Sequence, residues 1–384
     1  MRLTRADWTR LVLLWLGGAD LRLTLLAVPP LIPLIHRALH LDEKAVGALV
    51  STPVVLFAVA AVPGSLLIAR LGLRRAFGIG LGAVAVFGAL RGVGPSAPVL
   101  FAATFFMGIG VAVTQPALPS LVREWFPARI TLATAVLSNG ILFGETIPTV
   151  FTTPFGVLPA FGGDWRWALA SWSVVVAASA VAMLVAAPRR RSMAAVPSRW
   201  WPSWREGQVV RIGALMGMAS AVYFATNAYI PDFLDQSGRH NLITPTLAVL
   251  NGSQLLTAPA VALWDRLLMG RAGFFGSSGL MALAQAGLVL TPGAGVVVWA
   301  FVLGFSAALS FIVVLSLPPR MAAPGDVPRM SAAVFTTQYA LGFTLPLIAG
   351  AIWDATGVAG LAFVPGVAGA LAMGWLALGL KLPD

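Results

Sequence analysis

The 384-residue chain contains no cysteine. Disulfides, thiolate metal sites and cysteine nucleophiles are therefore excluded. Charge is the next scarcity. Only 10% of the residues are Asp, Glu, Lys or Arg, where a soluble domain carries roughly 25%. So few charges cannot cover the surface of a water-soluble protein of this length. The only histidines, His36, His40 and His240, fall near expected loops, so no histidine metal site is expected. No G-x-x-x-x-G-K-[S/T] run occurs, and ATP is not expected to supply energy directly.

What the chain does have is apolar sequence: 58% hydrophobic residues and a mean hydropathy of +0.88. Lipid is the solvent such a surface fits. In lipid every backbone polar group must be paired internally, which leaves helices or closed barrels. Barrel strands alternate over about ten residues, whereas the runs here are long and continuous. They predict an all-α membrane protein with twelve transmembrane helices, each about 20 residues long. The expected spans are 11–35, 45–68, 76–94, 98–121, 131–153, 166–187, 209–231, 243–263, 272–291, 296–318, 331–352 and 358–380. Thr291-Pro292-Gly293-Ala294-Gly295 and Gly94-Pro95-Ser96-Ala97-Pro98 split two runs that are otherwise too long for one span. The first run is too long for a signal-peptide core and has no small-residue cleavage site, so it reads as a retained span.

The net charge of +11 would suit nucleic acid, but topology accounts for it better. With the N-terminus inside, nineteen of the 25 Lys and Arg residues fall on the inner side, five on the outer side, and Arg22 within a span. That asymmetry predicts both termini in the cytoplasm. No soluble domain is left to bind nucleic acid. The longest polar segment, Pro188 to Gln208, divides the chain into a bundle over 1–187, a cytoplasmic linker over 188–208 and a second bundle over 209–384.

Two six-span halves suggest the major facilitator architecture. The stretch Gly64-Ser65-Leu66-Leu67-Ile68-Ala69-Arg70-Leu71-Gly72-Leu73-Arg74-Arg75 resembles the loop signature of that superfamily, with Ala69 where the acid is expected. Asp265-Arg266, followed by Gly270-Arg271, stands at the equivalent place in the second half. Gly64, Arg70, Gly72, Arg74, Arg75, Asp265 and Arg266 are thus the expected conformational motif, whose basic residues hold the inner side and pair with helix ends across the halves. Within the superfamily the chain resembles the cyanate and 2-nitroimidazole transporters. Asp20-Leu21-Arg22, Trp125-Phe126-Pro127, Tyr223 with Tyr229-Ile230-Pro231, and Gly350-Ala351-Ile352-Trp353-Asp354-Ala355-Thr356-Gly357 carry that likeness. It implies a secondary transporter of the bacterial inner membrane, working by alternating access around a central cavity, as a monomer and without a cofactor.

Charges inside spans mark the candidate site, because burying them in lipid is expensive. Arg22 is expected to bind the solute, its planar guanidinium suiting a small anion. Asp20 and Glu145 are expected to carry a coupled proton. All three lie about 15–20 Å into their helices. Asp20 and Arg22, two residues apart, face nearly opposite ways, so Arg22 pairs more naturally with Glu145. Gln115, Tyr223, Asn227, Ser306 and Ser310 are further solute-contact candidates, with Asn251, Gln254, Gln338 and Tyr339 behind them. Arg91, near the outer end of its span, is expected to snorkel to the interface. The function expected is transport of a small anion, coupled to a proton because two acids sit mid-span. The alternative is export of hydrophobic neutral or cationic compounds. No histidine lies in a span to build a hydrolytic centre, so an enzyme is not expected.

Overall fold

The computed structural model describes residues 3–41, 43–94, 96–152, 157–187, 201–202, 204–268, 270–323 and 326–380. Among the described residues every regular element is helical. Eleven helices among these residues are long and apolar enough to cross a membrane, and the apolar stretch Val55–Leu71 adds a shorter twelfth. In chain order they are α1 (Arg5–Leu31), α2 (Glu43–Leu71), α3 (Leu73–Val93), α4 (Ala97–Trp125), α5 (Ile130–Phe151), α6 (Trp165–Ala186), α7 (Gly207–Gln236), α8 (His240–Leu263), α9 (Arg271–Leu290), α10 (Gly295–Met321), α11 (Val327–Thr356) and α12 (Ala359–Leu378).

Local chemistry sets several of the ends. Thr4 and Asp7 form a capping box at the start of α1, the Asp7 N–H donating to Thr4 Oγ1 at 3.2 Å and the Thr4 N–H to Asp7 Oδ2 at 3.0 Å, which satisfies donors the first turn leaves open. Asp164 accepts from the Arg166 N–H at 2.9 Å at the start of α6. Gly72, at φ +81°, makes the turn from α2 to α3, a backbone conformation that suits glycine. Along the helices large apolar side chains stay outside, among them Leu290 at 78% and Trp375 at 70% exposure, as a lipid-facing surface requires.

The chain divides into two compact units, Met1–Pro202 with Ala322–Phe335, and Ser203–Met321 with Thr336–Asp384. In the first, α1 packs on α5 and α6, α3 on α4 and α6, and α2 on α4. In the second, α9 packs on α10 and α12, α7 on α12, and α8 on α10. Four pairings of the first unit thus recur six helices later, which is how an internal repeat looks in three dimensions. Each unit also ties a helix end with an arginine. Arg74 at the start of α3 donates to the Leu184 carbonyl near the end of α6. Arg211 near the start of α7 donates to the Gly379 carbonyl beyond α12. A cation is well placed at a helix C-terminus.

Candidate functional site

In the first unit, glycines let α1 and α5 approach closely. A Cβ on Gly140 would lie 2.1 Å from the Trp15 carbonyl oxygen, and one on Gly144 would lie 2.2 Å from that of Ala19. Any larger residue would force the helices apart. At that spacing Trp15 Nε1–H donates to Asn139 Oδ1 at 3.0 Å, and Arg22 Nε lies 3.1 Å from Glu145 Oε1. The Arg22 guanidinium also sits over the Phe57 ring of α2, 5.4 Å from its centroid. The pair is asymmetric in access: the Arg22 side chain is 9% exposed and that of Glu145 is 25%. Glu145 is the more exposed member of the pair. Both residues lie about 6–7 Å beyond the middle of their spans, toward the C-terminal end.

Such a pair is balanced rather than strongly stabilising. Breaking it by deleting one partner costs about 3–5 kcal/mol when fully buried, because a lone charge is left behind. Gly144→Val is expected to separate α1 from α5 and lengthen the pair. The measurement is melting temperature together with transport, and both should fall. Unchanged values would mean that the close approach is not what sets the pair.

Asp20 is on the opposite face of α1 and fully buried. Neither of its carboxylate oxygens has a hydrogen-bond partner among the described residues. Asp20 thus stands apart from the Arg22–Glu145 pair, as two residues' separation on a helix dictates. Arg91 corrects an expectation: it is 1% exposed and does not snorkel. Its guanidinium donates to the Thr24 carbonyl of α1, because α3 packs so closely on its neighbours that the side chain is covered. Gln115 is buried where α4 is interrupted before Pro116.

The motif residues divide by role. Gly64 lies inside α2, where a Cβ would come 2.9 Å from Val113 Cα of α4, so it serves packing. Arg70 and Arg75 are exposed. Arg74 pairs with a helix end of its own unit. Asp265 and Arg266 belong to a short helix, Asp265–Leu268; their side chains lie outside the described residues, as do residues 188–200 of the expected linker.

In the second unit α7 is the polar axis. Ser220 accepts from Gln338 Nε2 at 2.9 Å, and Thr226 Oγ1 accepts from Gln285 Nε2 at 2.5 Å. Tyr223 and Asn227, four residues apart, share a face of α7 and meet Asn251 and Gln254 of α8. The Tyr223 hydroxyl donates to Asn251 Oδ1 and accepts from Gln254 Nε2 at 2.7 Å. Asn251 Nδ2 donates to Asn227 Oδ1 at 3.1 Å. Sequence reasoning ranked Asn251 and Gln254 second. Their signal was two amides three residues apart in the middle of a span. Ser306 and Ser310, by contrast, are fully buried. Their hydroxyls bond to carbonyls of their own helix, at 2.6 Å and 3.0 Å, and Ser310 bonds Ser277 of α9 at 2.9 Å. They serve helix packing here.

A model of the Major Facilitator Superfamily matches residues 14–346. The chain belongs to that superfamily. It is similar to an uncharacterized transporter, YycB, of Bacillus subtilis (strain 168), 23% identical over 352 residues, which are 88% of this chain and 84% of the relative. It is similar to the 2-nitroimidazole transporter of Escherichia coli (strain K12), 25% identical over 88% of this chain and 87% of that one. It is also similar to the cyanate transport protein CynX of the same organism, 26% identical over 66% of each chain. Among solved structures, the proton:xylose symporter XylE has the same fold, with TM-score 0.74, 13% identity, and coverage of 96% of this chain and 94% of that one. The human organic anion transporter MFSD10 does so too, with TM-score 0.75, 15% identity, and coverage of 98% and 100%. This major facilitator chain is thus an integral membrane transporter, as the sequence resemblance implied.

Proposed function

We propose that this major facilitator chain is a proton-coupled secondary transporter of a small anion, working by alternating access. The observation that carries the reading is the Arg22–Glu145 pair, with the acid at its accessible end. A carboxylate and a solute anion compete for one guanidinium. When Glu145 takes up a proton it releases Arg22, which can then accept the anion. When the anion leaves, Glu145 loses its proton and re-forms the pair. One proton thereby accompanies one monovalent anion, and no net charge moves. The likeness to a cyanate transport protein supports a small anion, and the likeness to a 2-nitroimidazole transporter supports a compact solute.

The rest of the proposal concerns placement. The two bundles over 1–187 and 209–384, joined by a linker over 188–208, sit in a cytoplasmic membrane with both termini inside, and the chain acts as a monomer. The Lys and Arg asymmetry supports the orientation. A reporter inserted in the linker and another at the C-terminus should both signal from the cytoplasm. An outside signal from either one would contradict the twelve-span topology.

Asp20 is assigned the lesser part, because its carboxyl is fully buried. Asp20→Asn keeps the shape and removes the charge. It should leave pH-driven accumulation intact and melting temperature equal or higher. Loss of accumulation in this variant, with Glu145 present, would move the proton route to Asp20.

One observation favours the exporter reading. The Arg22–Glu145 pair is already neutral, so on its own it does not demand an anion. Binding by the purified protein decides: small monoanions such as cyanate, formate and nitrite against lipophilic cations. Binding to the folded state raises the melting temperature, and the small monoanions should do so.

A further inference from the structure

The second unit holds a polar cluster without a charge. Tyr223, Asn227, Asn251 and Gln254 bond to one another at the middle of α7 and α8. The charges on α7 stand far off along its axis: Arg211 is about 18 Å before Tyr223, and Asp232 about 14 Å after it. Helix α8 contains no Asp, Glu, Lys or Arg. Asn227 and Asn251 are nevertheless partly exposed. An amide exposed at mid-span cannot face hydrocarbon without leaving its polar atoms unpaired, so what meets it is water or solute.

Two backbone irregularities fall at this level. Pro231 lies inside α7 and has no N–H to give the Asn227 carbonyl. Helix α8 changes to a 3-10 turn over Gln254–Leu256 before continuing as Thr257–Leu263, a kind of interruption that often marks a binding site or hinge. The break is held by α10, where Gly304 permits contact: a Cβ there would lie 2.0 Å from the Leu250 carbonyl oxygen. Within the cluster some capacity is left over. Asn227 Nδ2 donates to the Tyr223 carbonyl at 3.2 Å, which uses one of its two N–H groups. Gln254 donates through Nε2 to Tyr223 and to the Asn251 carbonyl, which leaves its Oε1 as an acceptor.

We infer that the Tyr223–Asn227–Asn251–Gln254 cluster is a recognition site for a small, uncharged hydrogen-bonding group, of the amide, lactam or azole class, with one donor for Gln254 Oε1 and one acceptor for Asn227 Nδ2. The inference rests on the proposal that Tyr223 and Asn227 contact solute, but not on the anion chemistry of Arg22. The group recognised is either a neutral molecule or the uncharged end of an anion.

The test uses the purified full-length protein and four probes: 2-pyridone, 4-pyridone and their N-methyl forms, which keep ring and carbonyl but lack the N–H. At least one pyridone should raise the melting temperature, and its N-methyl form should bind roughly tenfold more weakly, the loss of one hydrogen bond to a site that stays unpaired. Gln254→Leu and Asn227→Leu, verified as monodisperse, should erase that difference. Arg22→Gln should leave it in place, so that failure of the anion reading and failure of this one are told apart. Retained pyridone binding with no anion binding would make the solute neutral. Equal shifts by each pyridone and its N-methyl form, no shift by any, or a preference that survives Gln254→Leu and Asn227→Leu together, would overturn the inference.

Discussion

Glu145→Gln is expected to abolish proton-driven accumulation while leaving solute exchange across the membrane. The amide keeps nearly the same shape but cannot take up or release a proton. Arg22 is then released permanently, and the anion binds equally well at any pH. In the unmodified protein the sign is opposite at high pH. There the Glu145 carboxylate holds Arg22 and excludes the anion, so affinity should fall by about tenfold per pH unit once the acid is deprotonated, as linkage of one proton to one anion requires. With a one-unit pH gradient, acid outside, proteoliposomes of the parent protein should concentrate the anion about tenfold, the equivalent of 1.4 kcal/mol. The Glu145→Gln vesicles should reach only the outside concentration, yet exchange labelled for unlabelled anion. Accumulation by Glu145→Gln at the parent level would remove Glu145 from the coupling step.

Arg22 substitutions should have the second large effect. Arg22→Lys keeps a positive charge but loses the planar fork. Affinity for the anion should fall by about 1–3 kcal/mol, on the scale of one charge-assisted hydrogen bond. Arg22→Gln should abolish anion transport. It also leaves Glu145 without its cation, and because that side chain is 25% exposed, the loss of stability should be smaller than the about 3–5 kcal/mol of a fully buried pair. The double change Arg22→Gln with Glu145→Gln removes both charges. It should restore melting temperature without restoring transport. Restored transport would reduce the pair to a structural tie and favour the exporter of hydrophobic compounds.

Much of the architecture was legible because lipid imposes a coarse code. A span is an apolar run of fixed length, and eleven such helices with a shorter twelfth stand among the described residues. The Arg22–Glu145 pairing was legible too, since a charge in a span needs a partner and Asp20 faces the wrong way. What the sequence hid depends on packing at single-residue scale. Arg91 looked like an interfacial residue from its position. Its burial follows from α3 lying against α1 and α6, which hydropathy does not encode. Ser306 and Ser310 looked like a polar face, but a serine in a helix can satisfy its hydroxyl on its own backbone, and both do. The four-residue cluster on α7 and α8 joins residues 223 and 254 through tertiary contact, so only half of it could be read from helical spacing.

Competition of proton and anion for the one Arg22–Glu145 pair is the step on which coupling depends. It is tested most directly by calorimetry of cyanate binding to the purified protein in two buffers of different ionisation enthalpy. The observed heats differ by the protons taken up from the buffer. The parent protein should take up about one proton per bound anion above the titration of Glu145, and Glu145→Gln should bind the anion with none. Anion binding by the parent protein with no proton uptake at any pH, or undiminished binding by Arg22→Gln, would contradict it.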